Sequence, residues 1–328
     1  MTSHAPTDGR ERSRSEGAPR QLVSVVAPVY DEADGIAEFH ARLSAALADE
    51  DYELILVDDG SSDGSAELME ELAAADPHVR CVHLSRNFGH QAAVTAGIDM
   101  ARGDAVVTID ADLQDPPEMI PTLLAMWRAG NDVVHAVRHV RPGEPRLRLW
   151  AIRAFYRVFA RMSRLPDFPG NSGDFRLMSR AAADAVRALP ERVRFVRGLV
   201  SWVGFRQVSV QYERDARFAG RSKYPFSRLL LLAVDGVVSF SAVPLRFAAA
   251  LGLIFSTVSF LAIPIVIALR LAGLYEVSGI ASIHILVLLI GGIQLVFLGI
   301  LGEYLSRNYD ESKGRPVYIV RDPPPKRD

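Results

Sequence analysis

Short apolar runs alternate with amphipathic stretches between Leu22 and Arg138. In chain order the runs read LVSVVAPVY, YELILVDD, VRCVHLS, DAVVTIDAD and NDVVHAVR. The stretches between them, such as residues 35–47 and 65–75, repeat their apolar positions at helical spacing. Strands that alternate with helices are typical of an α/β fold, in which helices cover a mostly parallel sheet. We therefore predict one such α/β domain over residues 22–224.

The hydrophobic pattern changes near the C-terminus, where two long runs carry no charged residue. These runs are residues 247–269 and 281–301. About 20 apolar residues are enough for a helix to cross the hydrocarbon core of a bilayer. Two such runs in tandem, bounded by charged residues, favour transmembrane helices over the buried helices of a soluble protein. We predict transmembrane helices at residues 246–270 and 281–304.

The remaining segments are predicted from their composition. Residues 1–21 are polar and rich in Pro, Gly, Ser and Arg, which is typical of a disordered tail. Residues 146–164 alternate cations with Leu, Trp, Phe and Tyr at helical spacing. That pattern fits either an amphipathic helix in the lipid headgroup layer or an ordinary surface helix, and both remain open. We predict a juxtamembrane helix at residues 225–245 and a C-terminal tail at residues 305–328.

Arginine and lysine flank the predicted pair of spans on both sides, whereas the loop between the spans carries one arginine. The positive-inside rule then places both flanks in the cytoplasm. We therefore expect a multi-pass protein of the plasma membrane, with the α/β domain and both termini cytoplasmic.

Charge and cysteine content exclude several classes of partner. The formal net charge is −2 and the isoelectric point is near 6.5, so no basic field points to nucleic acid. The single cysteine, Cys81, can form neither an internal disulfide nor a cysteine-rich zinc site. Nothing in the composition decides whether the chain forms homo-oligomers.

Acidic residues follow three of the predicted strands. Asp31 and Glu32 follow the first, Asp59 follows the second, and the segment DADLQDPPE begins with Asp110 after the fourth. The carboxyl ends of parallel strands meet at one edge of a sheet, so we expect these side chains to converge. Carboxylates beside a diphosphate suit Mg²⁺ or Mn²⁺, and the absence of GxGxxG argues against a dinucleotide oxidoreductase. The sequence thus predicts a metal-assisted diphosphate site.

Several motifs resemble those of family two inverting glycosyltransferases of the polyisoprenyl-phosphate class. They are, in order, APVYDE, VDDGSSDGS, LSRNFGHQAAVTAGID, TIDADLQDPPE, GDFRLMSR, RFAGRSKY and the tail GEYLSRNYDESKGRPVYIV. The resemblance extends from about Leu22 to Val320 and includes the two apolar runs. It implies a glycosyltransferase A fold, with residues 22–224 as the catalytic domain, and an inverting transfer of a sugar from a nucleotide-diphosphate sugar to polyprenyl phosphate.

The resemblance also implies roles for individual residues. The expected nucleotide-sugar contacts are Pro28, Tyr30, Glu32, Asp59, Asp110, Ala111, Asp112, Arg138, Arg217 and Lys223. The expected metal ligands are Asp110, Asp112 and Gln114, and the expected catalytic residues are Asp112, Asp174 and Lys223. We expect the lipid phosphate to contact Arg138, Arg141, Arg148 and Arg153. The sequence leaves open whether Asp174 is a base or an orienting residue.

Two other functions were weighed against this one. A processive polysaccharide synthase shares the acidic motifs but needs a Gln-x-x-Arg-Trp motif and more spans, and this chain has neither. A nucleotide-binding membrane scaffold without turnover is disfavoured by the intact acidic set and Lys223. The sequence does not decide between a UDP-hexose and GDP-mannose as donor, nor does it give the chain length of the lipid.

Overall fold

The computed structural model describes residues 21–138, 172–192, 194–212, 243–273 and 280–321. Within these residues the α/β domain contains one seven-stranded sheet. Its strands are β1 (Leu22–Val29), β2 (Asp51–Asp58), β3 (Val79–His83), β4 (Ala105–Thr108), β5 (Val133–Arg138), β6 (Ser172–Ser179) and β7 (Gln207–Tyr212). The five apolar runs form β1 to β5, which confirms the predicted α/β fold class.

The strand order is β3-β2-β1-β4-β6-β5-β7. Neighbouring pairs are parallel except around β6, which is antiparallel to both β4 and β5. The described sheet is therefore mostly parallel, as predicted. The carboxyl ends of β1, β2 and β4 lie side by side and bring their acidic loops to one edge of the sheet.

Six described helices belong to the α/β domain. They are α1 (Ile36–Ala46), α2 (Ser65–Ala75), α3 (His90–Met100), α4 (Ile120–Arg128), α5 (Arg180–Ala188) and α6 (Val196–Trp202). A buried apolar cluster lies on each face of the sheet. Helix α3 packs unusually close to β1, because a Cβ at Gly97 would lie 2.1 Å from Cγ1 of Val26. This close packing places the first residue of α3, His90, at the acidic edge of the sheet.

Two long helices follow the α/β domain: α7 (Val243–Leu271) and α8 (Ile280–Ser312). Both are long and apolar enough to cross a membrane, and their described apolar side chains are largely exposed. Helix α8 continues eight residues beyond the predicted end of the second span at residue 304. It stops where Gly314 adopts a left-handed φ of 62° and Pro316 follows, which is a common helix-ending arrangement.

The chain after α8 returns to the α/β domain. Val320 forms an antiparallel bridge with Leu84, just beyond the end of β3. Strand β3 lies at the edge of the described sheet, so this segment pairs with otherwise open backbone groups. Residues 1–20 of the predicted tail 1–21, the basic segment 146–164 and residues 225–242 lie outside the described residues.

Candidate active site

The loops after β1 and β2 are bound to each other by hydrogen bonds. Asp31 has a φ of 53°, a left-handed conformation that aspartate tolerates better than most residues. Its carboxylate accepts hydrogen bonds from the backbone N–H (2.7 Å) and the hydroxyl of Ser62, and the Glu32 N–H donates to Ser65 Oγ at 2.9 Å. Tyr30 remains 49% exposed beside these loops, so its ring is free to contact a ligand.

Asp59 connects the β2 loop to the segment that leads into α3. Its two carboxylate oxygens accept the backbone N–H groups of Phe88 at 2.7 Å and Gly89 at 2.9 Å. Burial raises the pKa of Asp59, although these two hydrogen bonds oppose the shift. Gly60 is required here, since a Cβ would lie 2.7 Å from the Asn87 nitrogen. The turn after β2 therefore fixes the position of residues 86–89.

The segment after β4 presents two carboxylates in different environments. Asp112 accepts hydrogen bonds from the backbone N–H of Gln114 at 3.1 Å and from its side-chain amide at 2.5 Å. The intervening Leu113 has a left-handed φ of 58° while its side chain is buried in the core, which turns Asp112 away from the sheet. Burial, with help from neighbouring carboxylates, raises the pKa of Asp110 to about 6.

Asp174 lies at the centre of a buried ionic cluster on β6. Arg197 donates to both of its oxygens at 2.9 Å, His90 Nε2 lies 3.0 Å from Oδ2, and Arg176 donates to Oδ1 at 3.2 Å. Burial alone would raise the pKa of Asp174, but hydrogen bonds from His90 and Arg197 outweigh it and hold the pKa well below its usual range. Asp174 is thus a fixed anion rather than a free proton acceptor.

These loops surround a cleft of about 240 Å³ at the carboxyl edge of the sheet. Seven residues that the sequence assigned to the nucleotide sugar line it: Pro28, Tyr30, Glu32, Asp59, Asp110, Ala111 and Asp112. Besides Val29, four further lining residues had no role assigned from the sequence, namely Asn87, Gly89, His90 and Ala93. Those four belong to the motif LSRNFGHQAAVTAGID, which is part of the family resemblance, although the sequence predicted no role for any one of them.

Arg138 has a different environment from the one that the sequence suggested. Its guanidinium donates to the Tyr212 hydroxyl and to Asp115 Oδ2, each at 3.1 Å, and Tyr212 also donates to Asp115. Burial alone would lower the pKa of Arg138, but the fully buried Asp115 carboxylate raises it. Arg138 does not line the described cleft, so its contacts with substrates stay a prediction. Arg141, Arg148, Arg153, Arg217 and Lys223 lie outside the described residues.

The side chains around Asp110 fit a divalent cation. Oδ1 of Asp110 is buried and makes no hydrogen bond within the described part of the chain. In that part no cluster of three His, Cys, Asp or Glu side chains forms a complete cage. Mg²⁺ commonly binds through one or two carboxylates and takes its other ligands from phosphate and water. Asp110 and Asp112 match this pattern, whereas the Gln114 amide nitrogen faces Asp112, and its role as a ligand stays a prediction.

An α/β sheet whose acidic loops and exposed tyrosine enclose a cleft at the carboxyl ends of its strands has the ligand-binding architecture of open α/β proteins. A family model described as Glycosyl transferase family 2 matches residues 24–187. The chain is 46% identical over 300 residues to the uncharacterized glycosyltransferase YkcC of Bacillus subtilis, covering 91% of this chain and 93% of the relative. The chain belongs to glycosyl transferase family 2.

Further relatives carry more specific names. Bactoprenol glucosyl transferase of Shigella phage SfV is 40% identical over 302 residues, covering 92% of this chain and 98% of that protein. A solved structure of glucosyl-3-phosphoglycerate synthase from Mycobacterium tuberculosis overlaps 66% of this chain and 76% of its own, at 20% identity and a TM-score of 0.49. The family match and the mostly parallel seven-stranded sheet support a domain of the glycosyltransferase A type, as the sequence resemblance implied.

Proposed function

We propose that the protein transfers a sugar, with inversion, from a nucleotide-diphosphate sugar to polyprenyl phosphate. One observation carries this proposal: seven residues predicted to hold the donor, from three separate strand ends, line a single cleft. The relative named bactoprenol glucosyl transferase supports a polyprenyl phosphate as acceptor. The donor is a UDP-hexose or GDP-mannose, and the product is a monosaccharide linked to the lipid through phosphate.

The nucleoside end of the donor suits the loops after β1 and β2. The half-exposed Tyr30 ring offers a stacking surface for the base. Each Asp59 oxygen already accepts one backbone N–H and keeps a further lone pair for a base or ribose donor. Pro28 and Glu32 complete this part of the lining.

Asp110 and Asp112 would hold Mg²⁺ or Mn²⁺ together with the donor diphosphate. When bound, the cation supplies positive charge that stabilises the departing nucleotide diphosphate. Within the chain, Gln114 orients the Asp112 carboxylate, because it donates two hydrogen bonds to it. Arg217 and Lys223 are proposed to contact the same diphosphate, with Lys223 acting as a catalytic point charge.

The acceptor phosphate is already anionic, so the reaction needs alignment more than it needs a strong base. We therefore assign Asp174 an orienting role rather than that of a base, because two arginines and His90 surround its carboxylate. Arg138, Arg141, Arg148 and Arg153 remain the candidates for holding the lipid phosphate. Bound in line with the anomeric carbon, that phosphate attacks as the diphosphate leaves, and the carbon is inverted.

We propose that α7 and α8 both cross the plasma membrane, with the catalytic domain and both chain ends in the cytoplasm. Their length and exposed apolar surface support two spans. The contact between Val320 and Leu84 supports the topology, because it requires the tail to lie on the same side of the membrane as the catalytic domain. Two crossings between the catalytic domain and the tail return the chain to the same side of the membrane.

The proposal is tested by incubating membranes that contain the protein with labelled nucleotide sugars, Mg²⁺ and polyprenyl phosphate. We expect one donor to give a labelled lipid, and Asp112→Asn to reduce the rate by about 100-fold or more. Asp49→Asn makes the same charge change at an exposed position outside the cleft and should retain the wild-type rate. No labelled lipid with any donor would refute the proposal, and full turnover in excess chelator would refute the cation site.

A further inference from the structure

The chain that follows α8 is paired with the edge of the sheet next to the cleft. The backbone N–H of Ser85 donates to the Ile319 carbonyl at 2.8 Å, and the N–H of Arg321 donates to the His83 carbonyl at 2.6 Å. These two bonds flank the bridge between Leu84 and Val320. The segment thus adds a short antiparallel strand to the open edge of β3.

Side-chain contacts hold the same segment at two further places. The Tyr318 hydroxyl donates to Asp99 Oδ2 of α3 at 2.9 Å, and its ring packs against the buried cluster that includes α3. Nearer α8, the Arg192 N–H donates to the Glu311 carboxylate at 2.8 Å, and the Arg192 guanidinium donates to the Arg315 carbonyl at 2.6 Å. The segment is therefore bound along its length and not at one point.

The residues directly after the paired segment of β3 line the cleft. Ser85 is followed by residues 86–89, of which Asn87 and Gly89 face the cleft. On their other side, the N–H groups of Phe88 and Gly89 are held by Asp59. Phe88 also packs on the same buried cluster as Tyr318. Residues 85–89 are thus held between the Asp59 carboxylate and the C-terminal segment.

We propose that residues 314–321 form a positioning strap, which holds residues 85–89 in the geometry that the nucleotide needs and connects α8 to the cleft. Within the described residues, none of the strap's hydrogen bonds reaches a residue that lines the cleft, so we expect it to act through the backbone of residues 83–85. This inference rests on the proposed nucleotide role of the cleft. It predicts that loss of the strap weakens donor use while acceptor use is retained.

A backbone substitution tests the strap in the full-length protein. Arg321→Pro removes the N–H that bonds to His83, whereas Arg321→Ala removes the same side chain and keeps that N–H. We expect Arg321→Pro to raise the KM for the nucleotide sugar about tenfold, with an unchanged KM for polyprenyl phosphate. Arg321→Ala should match the wild type. Equal donor KM values for the two variants would overturn the proposal.

A truncation and a second readout separate this inference from the proposed function. Ending the chain after Ser312 should accelerate amide hydrogen exchange at residues 84–89, and ending it after Arg321 should not. A synthetic peptide of residues 313–321 should restore both slow exchange and the donor KM. The proposal is overturned if ending the chain after Ser312 leaves amide exchange at residues 84–89 unchanged. It is also overturned if that exchange accelerates while the donor KM stays unchanged. Absence of sugar transfer by the wild-type protein would instead overturn the proposed function.

Discussion

Gly60 shows how one residue serves both the fold and the cleft. Its φ of 76° is left-handed, and its Cα faces the backbone of Arg86 and Asn87. Gly64, four residues later, has a φ of 99° but faces open space. Substitution by alanine would strain the backbone at both glycines. Only at Gly60 would the added methyl group also collide with residues 86–87.

This pair gives a matched prediction. Gly64→Ala should cost about 1 kcal/mol in the free energy of unfolding, which is the usual cost of a left-handed alanine. Gly60→Ala should cost about 2–3 kcal/mol and also raise the donor KM, because its Cβ would displace residues 86–87. Thermal unfolding of the detergent-purified protein and donor titration measure the two effects. Equal losses in both variants would show that the close contact is unimportant.

For individual residues, the sequence predicted the cleft residues that lie at or just after strand ends. It did not predict the residues that reach the cleft through the packing of a helix on the sheet. Pro28 lies at the end of β1, and Glu32 and Asp112 lie in the loops after β1 and β4, so their convergence could be inferred from topology alone. His90 lies on a helix after β3, and its distance of 3.0 Å from Asp174 depends on how closely α3 packs on the sheet. Spacing along the chain carries no such information.

The five predicted runs include neither β6 nor β7, and β6 shows why an apolar pattern can fail to predict a strand. Its residues SGDFRLMS include the buried charges Asp174 and Arg176, which break the apolar pattern expected of a central strand. The two charges are tolerated because Asp174 pairs with both Arg176 and Arg197. Since that pairing exists only in the folded protein, periodicity did not predict β6, whereas β1 to β5 are mainly apolar and were predicted.

The neighbouring strand β5 carries a histidine that makes stability depend on pH. His135 is buried with its Nε2 2.8 Å from Gln207 Oε1, and burial, aided by the charge on Arg176, lowers its pKa to about 4. An unfolded histidine titrates near pH 6.5, so the unfolded chain binds a proton first as the pH falls. This group therefore destabilises the fold progressively from about pH 6.5 to about pH 4.

We expect His135→Gln to remove that part of the acid sensitivity. The free energy of unfolding of the wild type should fall relative to the variant by about 1–3 kcal/mol between pH 7 and pH 4. Denaturant unfolding at several pH values measures the difference. Parallel profiles for the two proteins would mean that His135 is protonated equally in the folded and unfolded states.

The whole molecule combines a soluble type of α/β domain with two exposed apolar helices, and its orientation is open to direct test. Ala272 directly follows α7, and Ser312 ends α8. In a Cys81→Ser background, an impermeant thiol reagent added to intact cells should label Ala272→Cys and leave Ser312→Cys unlabelled until the cells are opened. Labelling of Ser312→Cys alone in intact cells would reverse the proposed orientation.

Helix α8 is longer than a bilayer requires. Its 33 residues extend about 50 Å, whereas the hydrocarbon core is roughly 30 Å thick. About 20 Å of continuous helix would then extend beyond the hydrocarbon core and act as a rigid spacer that sets the height of the cleft over the headgroups of the proposed acceptor. Each residue added to that spacer would lift the cleft by about 1.5 Å and swing it by about 100° around the helix axis. The length of α8 therefore determines both the height of the cleft above the membrane and the direction in which the cleft faces. It would thereby set how far the cleft reaches towards the proposed lipid acceptor.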